Sequence, residues 1–395
     1  MGLPFNFDKL NCTNEVRWLI IDEDKVNMRK ICSKYLPLFA GGLFLSMLIT
    51  SCKKDYAPTP VTGTPGKVAT LGLYEVDSGV YKRVFIMITK VGTQSVSYPL
   101  VFDTGSAGMT IDATGILPAS MITNSGIKIP GDSVTVNGIT VTTQEAVISY
   151  GDSQSEIQEY GNLAYTTMTI GDQNGNVKTS RIPIFLYYKI VNLQTGQKQP
   201  AHSNDVFGVG PGVSYANNAI ESPLSYFKFS GGATSGFKLA MFNNAGFSVN
   251  GTYVSDLLTI GLVPADIGSS SDFVMHPLTY SSQGGYSPDI AATISYNGQN
   301  VMATILFDTG TPAISIIANS KAKSNISSLP DNTAVTLTTS NGFKYSYTTG
   351  SANNLTQVAL PSYTGDPRTI FSIDFFTENE FLMNYKSHMI GLKNN

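Results

Sequence analysis

Apolar residues along the chain recur in short β-branched or aromatic runs rather than in helical stripes. Val84-Phe85-Ile86-Met87-Ile88, Ser133-Val134-Thr135-Val136, Thr140-Val141-Thr142 and Thr293-Ile294-Ser295-Tyr296 lie among Gly, Asn, Asp and Pro residues, the pattern of strands between tight turns. Asn137-Gly138, Asn297-Gly298 and Asn341-Gly342 read as hairpin turns, because a two-residue reversal needs positive φ, which Asn and Gly tolerate. No helical stretch of comparable strength is present, so the expected class is all-β.

One apolar run has a different character. From Leu36 to Thr50 the chain carries no charge, and Met28-Arg29-Lys30 with Lys34 precede it. A basic stretch followed by about 15 apolar residues has the form of an export signal and falls short of a comfortable membrane span. It ends in Leu48-Ile49-Thr50-Ser51-Cys52, which resembles the lipobox of bacterial lipoproteins. Residues 28–51 are therefore expected to be a lipoprotein signal peptide and residues 1–27 an extension upstream of the true start. Cys52 is the expected lipid anchor, and residues 52–66, rich in Pro, Thr and Gly, the expected tether. The protein would then be exported and membrane-anchored, on the periplasmic or the cell-surface side.

The body of the chain carries an internal repeat. Leu100-Val101-Phe102-Asp103-Thr104-Gly105-Ser106-Ala107-Gly108-Met109-Thr110-Ile111 aligns with Ile305-Leu306-Phe307-Asp308-Thr309-Gly310-Thr311-Pro312-Ala313-Ile314-Ser315-Ile316, with five of twelve positions identical. Each copy reads as strand, Asp-Thr-Gly, strand. Pro130-Gly131-Asp132-Ser133-Val134 follows the first copy and Pro330-Asp331-Asn332-Thr333-Ala334-Val335 the second, each leading toward an Asn-Gly turn. Duplicated lobes follow, expected over residues 67–235 and 236–395.

Composition narrows the chemistry. The chain has 395 residues, 42% hydrophobic and 13% charged, with 25 basic against 28 acidic side chains and a net charge of −3. That leaves no broad positive surface for nucleic acid. Cys12, Cys32 and Cys52 all lie near the start, and His202, His276 and His388 are scattered. No spacing resembles a metal site, and a cysteine nucleophile in the body is ruled out. No Gly-x-Ser-x-Gly elbow accompanies a histidine. Neither metal nor cofactor is expected.

Two carboxyls brought together across a pseudo-two-fold axis cannot both ionise cheaply, so the pair Asp103 and Asp308 would share a proton. One oxygen can then take a proton from water while the other acid protonates an amide carbonyl. Gly105 and Gly310 would admit close backbone approach. Thr104 and Thr309 could bond across to the opposite loop, and Ser106 and Thr311 place hydroxyls where they favour an ionised carboxylate.

These motifs resemble the pepsin-like aspartic proteases over about Tyr81 to Leu392. Lys90-Val91-Gly92-Thr93 through Ser106 is similar to that family's first hairpin and catalytic loop. Ile148-Ser149-Tyr150-Gly151-Asp152-Ser153 is similar to its flap, with Tyr150 and Gly151 over the cleft. Asp205-Val206-Phe207-Gly208-Val209-Gly210 resembles the segment supporting the first catalytic loop, Leu258-Thr259-Ile260-Gly261 the start of the second lobe's sheet, and Phe375-Phe376 to Ile390-Gly391-Leu392 the closing strands. Thr110 stands where the family often has a tryptophan bonded to the flap tyrosine, Pro312 replaces a Ser or Thr, and Ile373 falls where the second supporting segment has Gly.

The resemblance implies a bilobal double β-barrel with a cleft. It also implies a monomeric endopeptidase for extended polypeptide, preferring bulky apolar side chains beside the cut. The alternative is a pepsin-like scaffold with weak or no catalysis that binds peptides or glycans at the cell surface. A remoter reading, phosphoryl transfer at Asp308-Thr309-Gly310-Thr311, lacks the Lys, the membrane helices and the nucleotide domain that ion pumps require.

Overall fold

The computed structural model describes residues 66–394 except 78–80, 153–154, 173–174 and 283. The expected extension, signal peptide, lipidated Cys52 and all but the last residue of the tether lie outside the described residues. That last residue, Gly66, bridges to Phe229.

Strands form where the sequence alternates and where it is continuously apolar, with different results. Ala334–Thr339 and Lys344–Thr348 alternate buried and exposed positions, as a hairpin with one wet face must. Lys82–Val91 and the first half of Ile182–Asn192 are buried nearly throughout, so both of their faces are covered. The turns Asn137-Gly138 and Asn297-Gly298 hold both residues at positive φ, between 47° and 74°, and join strands in the registers Val136↔Ile139 and Tyr296↔Gln299. Asn341-Gly342 differs: only Gly342 has positive φ, and the pair lies in a wider loop closed by Thr338↔Lys344.

The duplication extends to topology. In the first half, Ile182–Asn192, Ala107–Asp112, Val206–Val209, Gln94–Asp103 and Lys82–Val91 lie side by side in that order. In the second half, Leu355–Ala359, Ile314–Ala318, Thr369–Phe371, Gln299–Phe307 and Ile290–Tyr296 do the same. Strand directions match as well: parallel, antiparallel, parallel, antiparallel. In each half the strand leading into Asp-Thr-Gly and the strand leaving it are held apart by a third inserted between them. The Asp-Thr-Gly turn is thereby fixed at the end of a buried sheet.

That register corrects one expectation. Val206↔Val101 and Phe207↔Phe102 in the first half correspond to Ile370↔Leu306 and Phe371↔Phe307 in the second, and Gly208 lies opposite Asp103. Continuing by one residue sets Ser372, not Ile373, in the place of Gly208. Gly208 is obligatory, because a Cβ there would meet the Gly108 carbonyl oxygen at 2.5 Å. Ser372 is accommodated instead by a hydroxyl pair with Ser315, which also accepts from the Ser372 N–H at 3.1 Å.

One apolar core runs through both halves, with Phe102, Phe207 and Phe237 in the first sheet, Phe307 and Phe371 in the second, and Phe375 in the short 3-10 helix that follows it. The Phe307 and Phe375 rings lie 4.2 Å apart. A smaller cluster of Ile148, Leu163, Tyr165, Phe185, Tyr187, Ile190 and Ile220 supports the long hairpin of Ile139–Asp152 and Ser155–Thr166. Two lobes of a duplicated all-β fold result, with the two Asp-Thr-Gly turns at their junction.

Candidate active site

Each Asp-Thr-Gly turn closes on its own acid. The Gly105 and Ser106 N–H groups donate to Asp103 Oδ1 at 2.7 and 3.0 Å, and Ser106 Oγ donates to Oδ2 at 2.7 Å. In the second copy the Gly310 N–H donates to Asp308 Oδ1 at 2.8 Å and Thr311 Oγ1 to Oδ2 at 2.6 Å. The loops then interlock through their threonines. Thr104 Oγ1 donates to the Phe307 carbonyl at 2.8 Å and accepts from the Thr309 N–H at 3.0 Å. Thr309 Oγ1 donates to the Phe102 carbonyl at 2.5 Å and accepts from the Thr104 N–H at 3.1 Å. Both threonines are buried, so these bonds act without competition from water.

The acids face each other across this lock. A Cβ built on Gly105 would lie 2.6 Å from Asp308 Cγ, and one on Gly310 would lie 2.7 Å from Asp103 Cγ. Each carboxyl therefore rests on the glycine of the opposite loop, where only hydrogen fits. Burial, followed by the charge of Asp308 and a hydrogen bond with it, holds the Asp103 carboxyl well above the usual carboxylate range. Ser106 and the Gly105 N–H pull the other way. Asp103 is 8% exposed.

The hairpin of Ile139–Asp152 and Ser155–Thr166 carries Tyr150, paired with Ile157. Its hydroxyl points to Thr110 Oγ1 at 3.5 Å. Burial, the charge of Glu159 and that of Asp103 raise the Tyr150 pKa, so the phenol keeps its proton. Gly151 sits beside the hairpin tip, exposed, at φ 104°. Of the residues expected from sequence, the two acids, their six loop neighbours and Tyr150 come together; Cys52 lies outside the described residues.

Other contributors lie outside the Asp-Thr-Gly and flap motifs. Arg83 Nη1 donates to the Gly310 carbonyl at 2.6 Å and so braces the second loop from the first lobe. Behind the first loop, Asp205 Oδ1 accepts from the Asp112 N–H at 2.9 Å and the Tyr187 hydroxyl at 2.6 Å, while Oδ2 meets His202 Nδ1 at 2.7 Å. Glu159, fully buried, accepts from Asn204 Nδ2 at 3.0 Å. Lys82 is buried against Asp374 at 2.7 Å, with Asn244 and Asn353 as further acceptors. Among the described residues no group of three or more His, Cys, Asp or Glu side chains is arranged to hold a metal ion.

Solved structures share this architecture. An aspartic proteinase from Irpex lacteus superposes with a TM-score of 0.52 at 16% identity, over 83% of this chain and 97% of that one. Conglutin gamma, a basic 7S globulin from lupine seeds, does so at 0.54 and 15%, over 84% and 96%. Basic 7S globulin from soybean does so at 0.52 and 14%, over 84% and 96%. No protein-family model and no curated protein matches the chain. The likeness establishes the fold, a bilobal pepsin-like double β-barrel.

Proposed function

We propose that this pepsin-like fold is an aspartic endopeptidase in which Asp103 and Asp308 activate one water between them. The observation that supports it most is the reciprocal seating of each carboxyl on the other loop's glycine. Two acids at that range hold one proton between them at neutral or acidic pH. The ionised member takes a proton from water as it attacks the peptide carbonyl, and the protonated member donates to the carbonyl oxygen. No covalent intermediate is required. The threonine lock keeps the acids in register while the bond order changes, which lowers the reorganisation needed at the transition state.

Substrate would lie extended in the cleft between the lobes, under the hairpin that carries Tyr150, with backbone hydrogen bonds in the manner of an added strand. On this reading the enzyme would stand outside the cytoplasm on a lipid anchor at Cys52, with a short tether. Among the described residues no helix is long and apolar enough to cross a membrane.

A non-hydrolytic reading, a surface scaffold that binds peptide or glycan, draws support from the seed globulins, which share the fold under a name that is not a protease's. Digestion of casein across pH, with and without pepstatin, separates the two. The endopeptidase reading expects pepstatin-sensitive cleavage that falls by at least about a thousandfold in Asp103→Asn and in Asp308→Asn alike, as loss of one member of a unit does. Undiminished cleavage in either variant refutes it. Pepstatin binding without any cleavage by the wild type supports the scaffold.

A further inference from the structure

We propose that Tyr385 is a positioning residue for Asp103, holding the first catalytic turn through the peptide group between Val209 and Gly210. This rests on the endopeptidase reading above. The Tyr385 hydroxyl donates to the Val209 carbonyl at 2.7 Å. The N–H of that same peptide group, on Gly210, donates to the Ser106 carbonyl at 2.7 Å. Ser106 in turn supplies two of the donors that hold Asp103, its N–H to Oδ1 at 3.0 Å and its hydroxyl to Oδ2 at 2.7 Å. A continuous path of hydrogen bonds therefore runs from a tyrosine in the closing strands to the acid.

The donor is committed to this task. Tyr385 has one hydroxyl proton, and it goes to Val209. Ser222 Oγ, 2.8 Å away, must then donate to the phenol oxygen, and it accepts in turn from the Leu224 N–H at 3.2 Å. Each hydroxyl gives one bond and takes one, a relay whose members strengthen one another. Burial raises the Tyr385 pKa above its ordinary value, so the phenol keeps the proton it gives to Val209. The side chain is also fixed from behind. Tyr385 directly follows the strand Asn379–Asn384, its N–H donates to the Ser235 carbonyl at 3.2 Å, and its ring packs on Phe237, which meets Phe102 edge-on. At the far end there is no slack. A Cβ on Gly210 would lie 2.8 Å from the Ser106 carbonyl oxygen and 3.2 Å from that of Thr104, so a tilt of the peptide is passed to Ser106 rather than absorbed.

The two turns are braced reciprocally. Arg83, from the first half, bonds the Gly310 carbonyl of the second turn, and Tyr385, from the second half, holds the strand that supports the first. Without its hydroxyl the Val209 carbonyl loses a donor and the peptide is free to rotate. The bond from Gly210 then lengthens, and Ser106 draws back from Asp103. Ser106 favours the ionised carboxylate, so its retreat raises the ionisation of the acid pair. Substrate binding, which uses the cleft and the hairpin carrying Tyr150, is not on this path.

Tyr385→Phe, which deletes the hydroxyl and keeps the ring, tests this. Peptide cleavage should show kcat about tenfold lower, the scale of a small misplacement of a reacting group, with KM within about twofold of wild type. The alkaline limb of kcat should move to higher pH, in the same direction as for Ser106→Ala and by less. Adding Tyr385→Phe to Ser106→Ala should move the limb no further, because the hydroxyl being positioned is already gone. Amide exchange on peptides spanning residues 104–110 and 206–211 needs no hydrolysis. Protection there should fall about fivefold in Tyr385→Phe, the scale of one neutral hydrogen bond. Unchanged protection, or a lower kcat with an unmoved limb, overturns the proposal. A wild-type protein that cleaves nothing would instead defeat the endopeptidase reading and leave the exchange result to decide on Tyr385.

Discussion

Asp103 is held by three donors of its own loop and faced by a second acid, and those contacts push its ionisation in opposite directions. Burial and Asp308 raise it; Ser106 lowers it through a 2.7 Å hydroxyl bond to Oδ2. Ser106→Ala removes a stabiliser of the ionised form, so the upper ionisation of the pair, which sets the alkaline limb of kcat, should move to higher pH by about one unit. A pH profile of kcat measures it, and an unmoved limb contradicts the assigned role. The Asp-Thr-Gly chemistry was readable from sequence because three adjacent residues carry it twice. Arg83, Glu159 and Asn204 were not readable: the first two are single polar residues in strands and the third lies in a turn, and only register and lobe packing bring them to the site.

At the scale of elements, the strands inserted between the arms of each catalytic turn do the positioning. Val206–Val209 approaches Ala107–Asp112 so closely that Gly208 has no room for a side chain. Gly208→Ala should cost about 1–3 kcal/mol or more, the range for overpacking a filled site, and should lower kcat with it because the displaced strand supports Asp103. Thermal unfolding beside a kinetic assay checks this; a variant with wild-type melting temperature would mean that the strand can give way. Sequence identified Val206-Phe207-Gly208 correctly as that support. It placed the second copy one residue late because the motif there is Ile370-Phe371-Ser372, and without the glycine only the ladder register shows the equivalence. The hairpins at Asn137-Gly138 and Asn297-Gly298 were legible from turn chemistry alone. Asn341-Gly342 sits in a longer loop, set by the Thr339 side chain accepting from the Phe343 N–H at 3.0 Å.

For the whole molecule, the buried titratable groups set how stability depends on pH. Glu75 is fully buried with both carboxyl oxygens unpartnered, and burial pushes it up to about 7. Between its ordinary value of about 4.3 and about 7, the unfolded chain releases a proton that the folded one keeps, so stability falls as pH rises. Burial alone would lower the His202 pKa, but the hydrogen bond and charge of Asp205 outweigh it. Its contribution is present below about 6.5 and lost above. His276, lowered by burial, acts in the opposite sense as pH falls below about 6.5. The melting temperature should therefore be several degrees higher at pH 5 than at pH 8, and Glu75→Gln should flatten the fall between pH 4.5 and 7 while leaving the loss above it. Scanning calorimetry across that range decides; a rising melting temperature would contradict the assignment of Glu75.

The same scale limits what architecture can say about activity. A proteinase and two seed globulins share the fold at 14–16% identity, so the chemistry must be argued from the acids themselves. Their central property is that two residues far apart in sequence make one site. Calorimetric titration with pepstatin tests it most directly. One molecule should bind per chain, with proton exchange that varies with pH, and both Asp103→Asn and Asp308→Asn should lose that binding. Binding that survives in either variant, or a stoichiometry of two, would contradict the account.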